Sequence, residues 1–181
     1  GALPTDVRPI PVKGRSDILE TSSATMTPSQ PGIIFTINDS GNEPILYALD
    51  STGAVRGTWR ITNATDVDWE SSSHGACHST TTASAAPMSC IFIGDAGDNH
   101  GLRSNVLIYQ VQEPVVASDS SQNFLDAQKL VFRYPGGKHE VEAMYVSEDG
   151  TTSLITHRKL RNTDHALRQS LVFSLPRYAW A

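Results

Sequence analysis

The sequence predicts an all-β protein made of short antiparallel strands, and three observations favour this class. Hydrophobic residues form 39% of the 181 residues and charged residues only 18%, a balance that suits a turn-rich β protein better than a helical bundle. Short β-branched and aromatic segments alternate with turns rich in Gly, Pro, Asp and Asn. Acidic residues recur at equivalent positions of these segments, which indicates a repeated unit.

The strand-forming segments fall into three units that follow one another along the chain. Residues 1–30 precede them and are mostly irregular, although Asp17–Glu20 alternates weakly enough to suggest a first inner strand. In the first unit, short turns join three strands into an antiparallel meander. A long polar linker, residues 113–126, interrupts the second unit. The units span residues 31–62, 66–135 and 139–176, within a β region from 31 to 181.

Recurring units of three or four strands are typical of the blades of a β-propeller, and the alternative is a β-sandwich. Asp68 and Glu70 at the start of one unit match Glu140 and Glu142 at the start of the next. A sandwich gives no reason to repeat polar residues in register, so the propeller is preferred. Three units do not close a ring, because propellers have about four to eight blades. We therefore expect a piece of a longer protein or one of two copies that complete a ring, unless the fold is a sandwich.

The acidic residues predict a metal site at one mouth of the propeller channel. In a blade, the start of the first strand and the end of the second lie on the same face, and strand alternation points Asp68 and Glu70 to one side. Converging carboxylates repel, and a divalent cation relieves this by taking several oxygen ligands. Calcium suits a set without thiolates or a histidine pair. The predicted ligands are Asn38, Asp39, Asp68, Glu70, Asp95, Asp98, Asn99, Glu140 and Glu142.

Simpler interpretations stand beside the metal site. Residues 95–99 also have the composition of a tight turn, in which Gly, Asp and Asn supply backbone geometry. Asp68 and Glu70 also suit a solvated strand edge. His157 and Arg158 end a strand and are the candidate catalytic residues, which would provide acid/base catalysis or bind an anion beside the metal. Ordinary surface basicity is the preferred interpretation of these two.

Charge and cysteine content narrow the class of protein. The net charge of -5 and the lack of a Lys/Arg block argue against nucleic-acid binding, and no apolar run is long enough to span a bilayer. A disulfide between Cys77 and Cys90 would stabilise the fold by roughly 3 kcal/mol. Together with glycosylation sequons at Asn38 and Asn63, this predicts a secreted glycoprotein. The alternative is a cytosolic protein with two unrelated buried thiols.

His74 and His78 flank Cys77, which raises the question of a zinc site. Structural zinc sites use paired Cys or His ligands at short spacing, and the spacing to Cys90 lacks this pattern. A polar loop is therefore the preferred interpretation of this segment.

Three motifs occur in a fixed order: Asn-Asp-Ser-Gly at residues 38–41, Asp-Trp-Glu at 68–70 and Gly-Asp-Ala-Gly-Asp-Asn at 94–99. With the strand segments 35–37, 46–50 and 172–176, they resemble a family of secreted, largely uncharacterised β-propeller proteins with NDSG, DWED and GDIGDN motifs. The resemblance covers residues 32–176. It extends, more distantly, to calcium-dependent six-bladed propellers, including lactonase-like and phytase-like enzymes. It implies a six-bladed ring of about twice this length.

The sequence departs from that family's pattern at two positions. Ser71 stands where the family has a second acid, and Ala96 replaces a larger aliphatic residue. One ligand expected from the resemblance is therefore missing.

The residues and the resemblance together predict a secreted protein that binds calcium at an acidic channel mouth. The first functional hypothesis is a metal-dependent hydrolase of a small ester, lactone or phosphate, because a bound cation polarises such groups. One alternative is a non-enzymatic module that recognises a glycan or a protein. Another is a propeller fragment that requires a partner half or a second copy. The sequence contains neither a serine-hydrolase elbow nor a phosphate-binding loop.

Overall fold

The computed structural model describes residues 9–13, 16–78, 88–116, 123–157 and 170–180. These residues form β-strands, irregular connections and one short 3₁₀ turn, so the predicted all-β class is confirmed. The elements are β1 (Thr25–Met26), β2 (Ile33–Thr36), β3 (Ile45–Asp50), β4 (Val55–Thr62), β5 (Trp69–Ala76), β6 (Ser89–Asp95), β7 (Val106–Gln112), β8 (Phe124–Asp126), β9 (Gln128–Phe132), β10 (Glu140–Val146), β11 (Thr152–His157), β12 (Val172–Leu175) and η1 (Arg177–Trp180).

The strands form three sheets. Their orders are β1-β2-β3-β4-β8, β5-β6-β7-β9 and β10-β11-β12. Neighbouring strands are antiparallel, apart from the parallel pair of β4 and β8. Short turns join β3 to β4 and β10 to β11, whereas longer connections join most of the other antiparallel pairs. The three sheets do not form a closed ring within the described parts of the chain.

The inner strand of the first sheet lies later in the chain than the sequence predicts. Asp17–Glu20 forms no strand, because the amide groups of Leu19 and Glu20 donate to the side chain of Asn38 instead of to a neighbouring strand. The inner position is taken by β1. A side chain that binds the backbone in this way competes with strand pairing.

The segment predicted to be a polar linker, residues 113–126, ends in β8. This strand runs parallel to β4, with Ile61 opposite Leu125. Leu125 is buried and joins the core between the first two sheets. Asp126 accepts hydrogen bonds from Thr62 (2.9 Å) and Asn63 (2.6 Å). One apolar side chain and one carboxylate therefore fix the end of this segment, residues 124–126, to the edge of the first sheet.

The second sheet lies between the other two, and an apolar core fills each interface. Trp59 of the first sheet and Trp69 of the second are almost fully buried in the first core. Phe92 of the second sheet and Leu154 of the third belong to the second core. Burying a side chain of this size contributes about 1.5–3 kcal/mol. These cores fix how the sheets stack.

The first strands of the three sheets lie next to one another, with β5 between β1 and β10. The amide of Val146 in β10 donates to the hydroxyl of Ser73 in β5 over 3.0 Å. On the other side of β5, the hydroxyls of Ser72 and Thr25 are hydrogen-bonded. Gly75 allows the close approach, because a Cβ at this position would lie 2.7 Å from Cγ1 of Val146. The starts of neighbouring sheets are thereby brought together.

Cys77 and Cys90 form the predicted disulfide, with 2.00 Å between their sulfur atoms. The bridge removes Cys77 as a thiolate ligand. The ring of His78 is buried and stacks on Trp180 at 5.2 Å. This segment therefore packs instead of forming a zinc site. Among the described residues there is no helix long and apolar enough to cross a membrane.

Candidate metal centre

Three of the nine predicted ligands come together. One carboxylate oxygen from each of Asp39, Asp68 and Glu70 lies within 4.8 Å of the others. Asp39 follows β2 in the first sheet, Asp68 precedes β5 in the second, and Glu70 is the second residue of β5. Asp68 is buried and the other two are partly buried. The group therefore joins the end of β2 in the first sheet to the start of β5 in the second.

A β-bulge positions Glu70. Trp69 pairs with Asp95 and Ser71 pairs with Gly94, which leaves Glu70 as the extra residue of β5. Such a bulge breaks the strict alternation of a strand and redirects a side chain. The hydrogen-bond register, more than simple alternation, therefore brings Glu70 beside Asp68.

The turn after β6 holds Asp68 in place. The amide of Gly97 donates to the carbonyl of Asp68 over 3.2 Å. A Cβ at Gly97 would overlap the side chain of Asp68, so glycine is required for this approach. Backbone and side-chain hydrogen bonds from Asn99 favour the ionised form of Asp68 and act to lower its pKa. The predicted ligand Asn99 thus positions another ligand.

Asp95 lies behind this group as a buried ion pair. The side chain of Asp95 is completely buried, and its Oδ1 accepts from the amide of Asp68 (3.1 Å) and from Nη1 of Arg103 (2.8 Å). The same guanidinium nitrogen donates to the carbonyl of Gly97 over 2.8 Å. Arg103 therefore connects the buried carboxylate to the turn that supports Asp68.

Two buried carboxylate oxygens near the group have no hydrogen-bond partner among the described residues. They are Oδ2 of Asp95 and Oδ2 of Asp66. Asp66 is 7% exposed, and its Oδ1 accepts from the amide of Trp69 over 3.3 Å. Buried acceptors without donors are costly, so both oxygens indicate a need for positive charge or water nearby.

Burial and mutual repulsion disfavour ionisation of these acids. Burial, followed by the charges of Asp39 and Asp68, raises the pKa of Glu70 to about 7. Burial, opposed by the hydrogen bond from Trp69, raises the pKa of Asp66 to about 7. The pKa values of Asp68 and Asp95 are also raised, mainly by burial. A bound cation would favour the ionised forms.

Asn38 and Asp98 are used for local structure. Oδ1 of Asn38 accepts from two backbone amides, and its Nδ2 donates to the carbonyl of Asp17 over 2.7 Å. Asp98 accepts from the amides of Leu102 (2.7 Å) and Arg103 (3.1 Å), as in the turn interpretation of this segment. Asn38 is also only 3% exposed, which leaves its sequon little room for a glycan.

The acids of the third sheet lie within electrostatic range of the group. Both Glu140 and Glu142 contribute to the raised pKa of Glu70. Glu140 is buried and accepts from the amide of Asp98 over 3.1 Å, whereas Glu142 forms an ion pair with Nδ1 of His157 over 2.9 Å. The second predicted catalytic residue, Arg158, lies outside the described residues.

Asp66 and Arg103 are not among the predicted ligands. Asp66 extends the alternation of Asp68 and Glu70 by two residues, so the sequence does carry a signal for it. Arg103 is the first Lys or Arg after Asp95 in the chain, and a carboxylate at the end of a buried strand requires such a partner. Its role becomes visible only when the turn is folded.

Comparisons with protein-family models, with curated proteins and with solved structures find no match for this chain. The resemblance to the secreted propeller family therefore stays a prediction, as does the six-bladed ring that it implies.

Proposed function

We propose that this protein binds a divalent cation, calcium, through Asp39, Asp68 and Glu70. The observation that carries the proposal is the convergence of three carboxylate oxygens within 4.8 Å from two different sheets. Carboxylate oxygens are hard ligands that suit calcium, magnesium or manganese better than softer metals. Calcium accepts six to eight oxygens in flexible geometry, which three carboxylates and solvent can supply.

Calorimetric titration of chelator-treated protein with calcium tests this directly. We expect heat of binding and a higher melting temperature in the wild-type protein, and neither in the Asp68→Asn variant. Glu148→Gln is the matched control, because Glu148 is an exposed acid in the turn between β10 and β11. Absence of binding by the wild-type protein, or full binding by Asp68→Asn, would contradict the proposal.

We further propose that the three sheets are consecutive blades of a propeller. The support is the repeated stacking, in which the first strands lie side by side and each interface has its own core. The outer face of the third sheet leaves apolar side chains exposed, namely Tyr145 (59%), Ile155 (41%) and Val172 (66%). A further blade, from a longer chain or a second copy, would bury them. A well-folded monomer in light scattering would exclude the second copy.

A hydrolase is the candidate activity of this site, and the ion pair of Glu142 and His157 favours it. A carboxylate that binds one imidazole nitrogen orients the other as a general base, which is the arrangement needed to activate water. Both side chains are about half exposed, so a substrate has access to them. The bound cation would supply polarisation of an ester, lactone or phosphate group.

The activity is tested with a panel of small esters, lactones and phosphate esters in the presence of calcium. We expect turnover that His157→Gln abolishes and that Lys129→Gln, at an exposed position of β9, leaves unchanged. Calcium binding without turnover, together with specific binding on a glycan array, would instead identify a non-enzymatic binding module. The disulfide is compatible with secretion, which is also part of the proposal.

A further inference from the structure

A small cavity of about 20 Å³ lies beside the turn that supports Asp68. Its lining includes Asp98 and Arg103 from this turn and Tyr134, Lys138 and His139 from the connection between β9 and β10. A cavity of about this size holds one water-sized group. The cavity is therefore suited to a single oxygen atom, with the rest of a ligand at its mouth.

The hydroxyl of Tyr134 is the feature that indicates a ligand in this cavity. Tyr134 is 9% exposed, and its hydroxyl has no hydrogen-bond partner among the described residues. The ring is held on several sides, with centroid distances of 5.4 Å to both Phe132 and His139 and 4.8 Å to Phe173. The hydroxyl is thus fixed in place and without an acceptor, although buried hydroxyls normally have one.

The remaining lining is rich in donors. Lys138 lies exposed at the mouth, and the guanidinium of Arg103 and the carboxylate of Glu140 act in opposite directions on the ionisation of Tyr134. The one acid, Asp98, already accepts from the amides of Leu102 and Arg103. Burial raises the pKa of Tyr134, so its hydroxyl keeps its proton at neutral pH. Lys138 and the hydroxyl of Tyr134 are thus lining groups that can donate hydrogen bonds to an anion.

The backbone of the connection allows close approach of a ligand. Gly136 and Gly137 have φ angles of 85° and 133°, which residues with a Cβ rarely adopt, and Gly137 lines the cavity. No side chain at this position fills the mouth.

We propose that this cavity is an oxyanion subsite in which the hydroxyl of Tyr134 donates a hydrogen bond to one oxygen of a carboxylate or phosphoryl group, with Lys138 at the mouth. The proposal rests on the calcium site and names its substrate class, a small ester or phosphate with an anionic end. Arg103 links the two places, since it lines the cavity and also binds Asp95 and the carbonyl of Gly97.

The test is calorimetric titration of the chelator-treated full chain with inorganic phosphate and, separately, with acetate, which distinguishes phosphoryl from carboxylate recognition. We expect Tyr134→Phe and Lys138→Gln each to weaken binding about tenfold or more, because each removes a hydrogen bond or charge to an anion. Tyr145→Phe and Lys129→Gln, at exposed positions of β10 and β9, are the matched controls and should bind normally.

The outcomes separate this subsite from the metal site. Calcium binding without phosphate or acetate binding would overturn the subsite and leave the proposed function standing. Anion binding without calcium binding would overturn the proposed function and leave the subsite standing. Anion binding that is unchanged in Tyr134→Phe, a substitution that keeps the packed ring, would also overturn the subsite, because the hydroxyl would then have no part in it.

Discussion

Glu70 and Glu142 occupy the same place in neighbouring sheets, each as the extra residue of a β-bulge in the first strand. In the second sheet, Glu70 lies between the pairs that Trp69 and Ser71 form with β6. In the third sheet, Glu142 lies between the pairs that Val141 and Ala143 form with β11. Bulges redirect side chains, so the equivalence places two carboxylates at the same end of adjacent strands.

The raised pKa values of Asp66 and Glu70 predict an unusual pH dependence of stability. Both pKa values are about 7 in the folded protein, above the values of exposed carboxyls in the unfolded chain. The folded state therefore binds more protons, and this contribution is full below about pH 4 and is lost as the pH rises through 7. In calcium-free protein, we expect this contribution to the free energy of unfolding to fall from pH 5 to pH 8.

The double variant Asp66→Asn/Glu70→Gln provides the reference for this slope, because it removes both titrating groups. Urea unfolding at several pH values between 5 and 8 should show a steeper fall in the wild-type protein than in the variant. Parallel curves would contradict the assignment of the raised pKa values. Calcium should oppose the trend, since it binds the ionised carboxylates and its affinity should increase over the same pH range.

Gly97 is predicted to be essential for the position of Asp68. In Gly97→Ala the new methyl group would overlap the carboxylate of Asp68 and displace it. We expect calcium affinity to fall by about tenfold or more, which corresponds to about 1.4 kcal/mol of lost ligand energy. Gly101→Ala serves as the control in the same loop, because Gly101 has a φ of 64° but a methyl group there would meet no atom within 4 Å. Equal calcium binding by both variants would contradict the steric role.

Local patterns account for the strands and for part of the site. The β-branched segments and turn residues predict the all-β class, and the repeated acids at 68, 70, 140 and 142 point to equivalent strand starts. The same patterns do not reveal which predicted ligand has a competing structural role. Asn38, for example, binds the backbone of residues 17–20, and this contact forms only when the chain folds.

The limits of the sequence prediction are clearest where contacts are long-range. The parallel pairing of β4 with β8 buries Leu125. The polar residues around Leu125 in the sequence give no sign of this burial. The partner of the buried Asp95 is Arg103, and only the turn between them brings the charges to 2.8 Å. Composition indicates that such groups are present, but their pairing follows from the tertiary register.

The disulfide is predicted to be a substantial part of the stability. Cys77 and Cys90 are 13 residues apart, and a cross-link of this span contributes about 3 kcal/mol by restricting the unfolded chain. We expect Cys77→Ser/Cys90→Ser to lose about that much free energy of unfolding in urea. Reduction of the wild-type protein should give the same loss, which separates the cross-link from the substitutions. Unchanged stability in both experiments would contradict this contribution.

Removing Arg103 is predicted to leave a buried charge without its partner. Asp95 is fully buried and Arg103 is 15% exposed, so their ion pair is largely shielded from solvent. Breaking such a pair from one side costs about 3–5 kcal/mol, and we expect a loss of this order for Arg103→Gln in urea unfolding at pH 8.

The pH dependence of that loss separates the charge of Arg103 from its packing. Because Arg103 acts to lower the pKa of Asp95, its removal should raise that pKa further and let Asp95 become neutral. The loss should therefore be smaller at pH 5 than at pH 8. The double variant Asp95→Asn/Arg103→Gln should recover part of the stability, since it leaves no buried charge. A loss that is the same at both pH values, with no recovery in the double variant, would show that Arg103 acts through packing and not through the charge of Asp95.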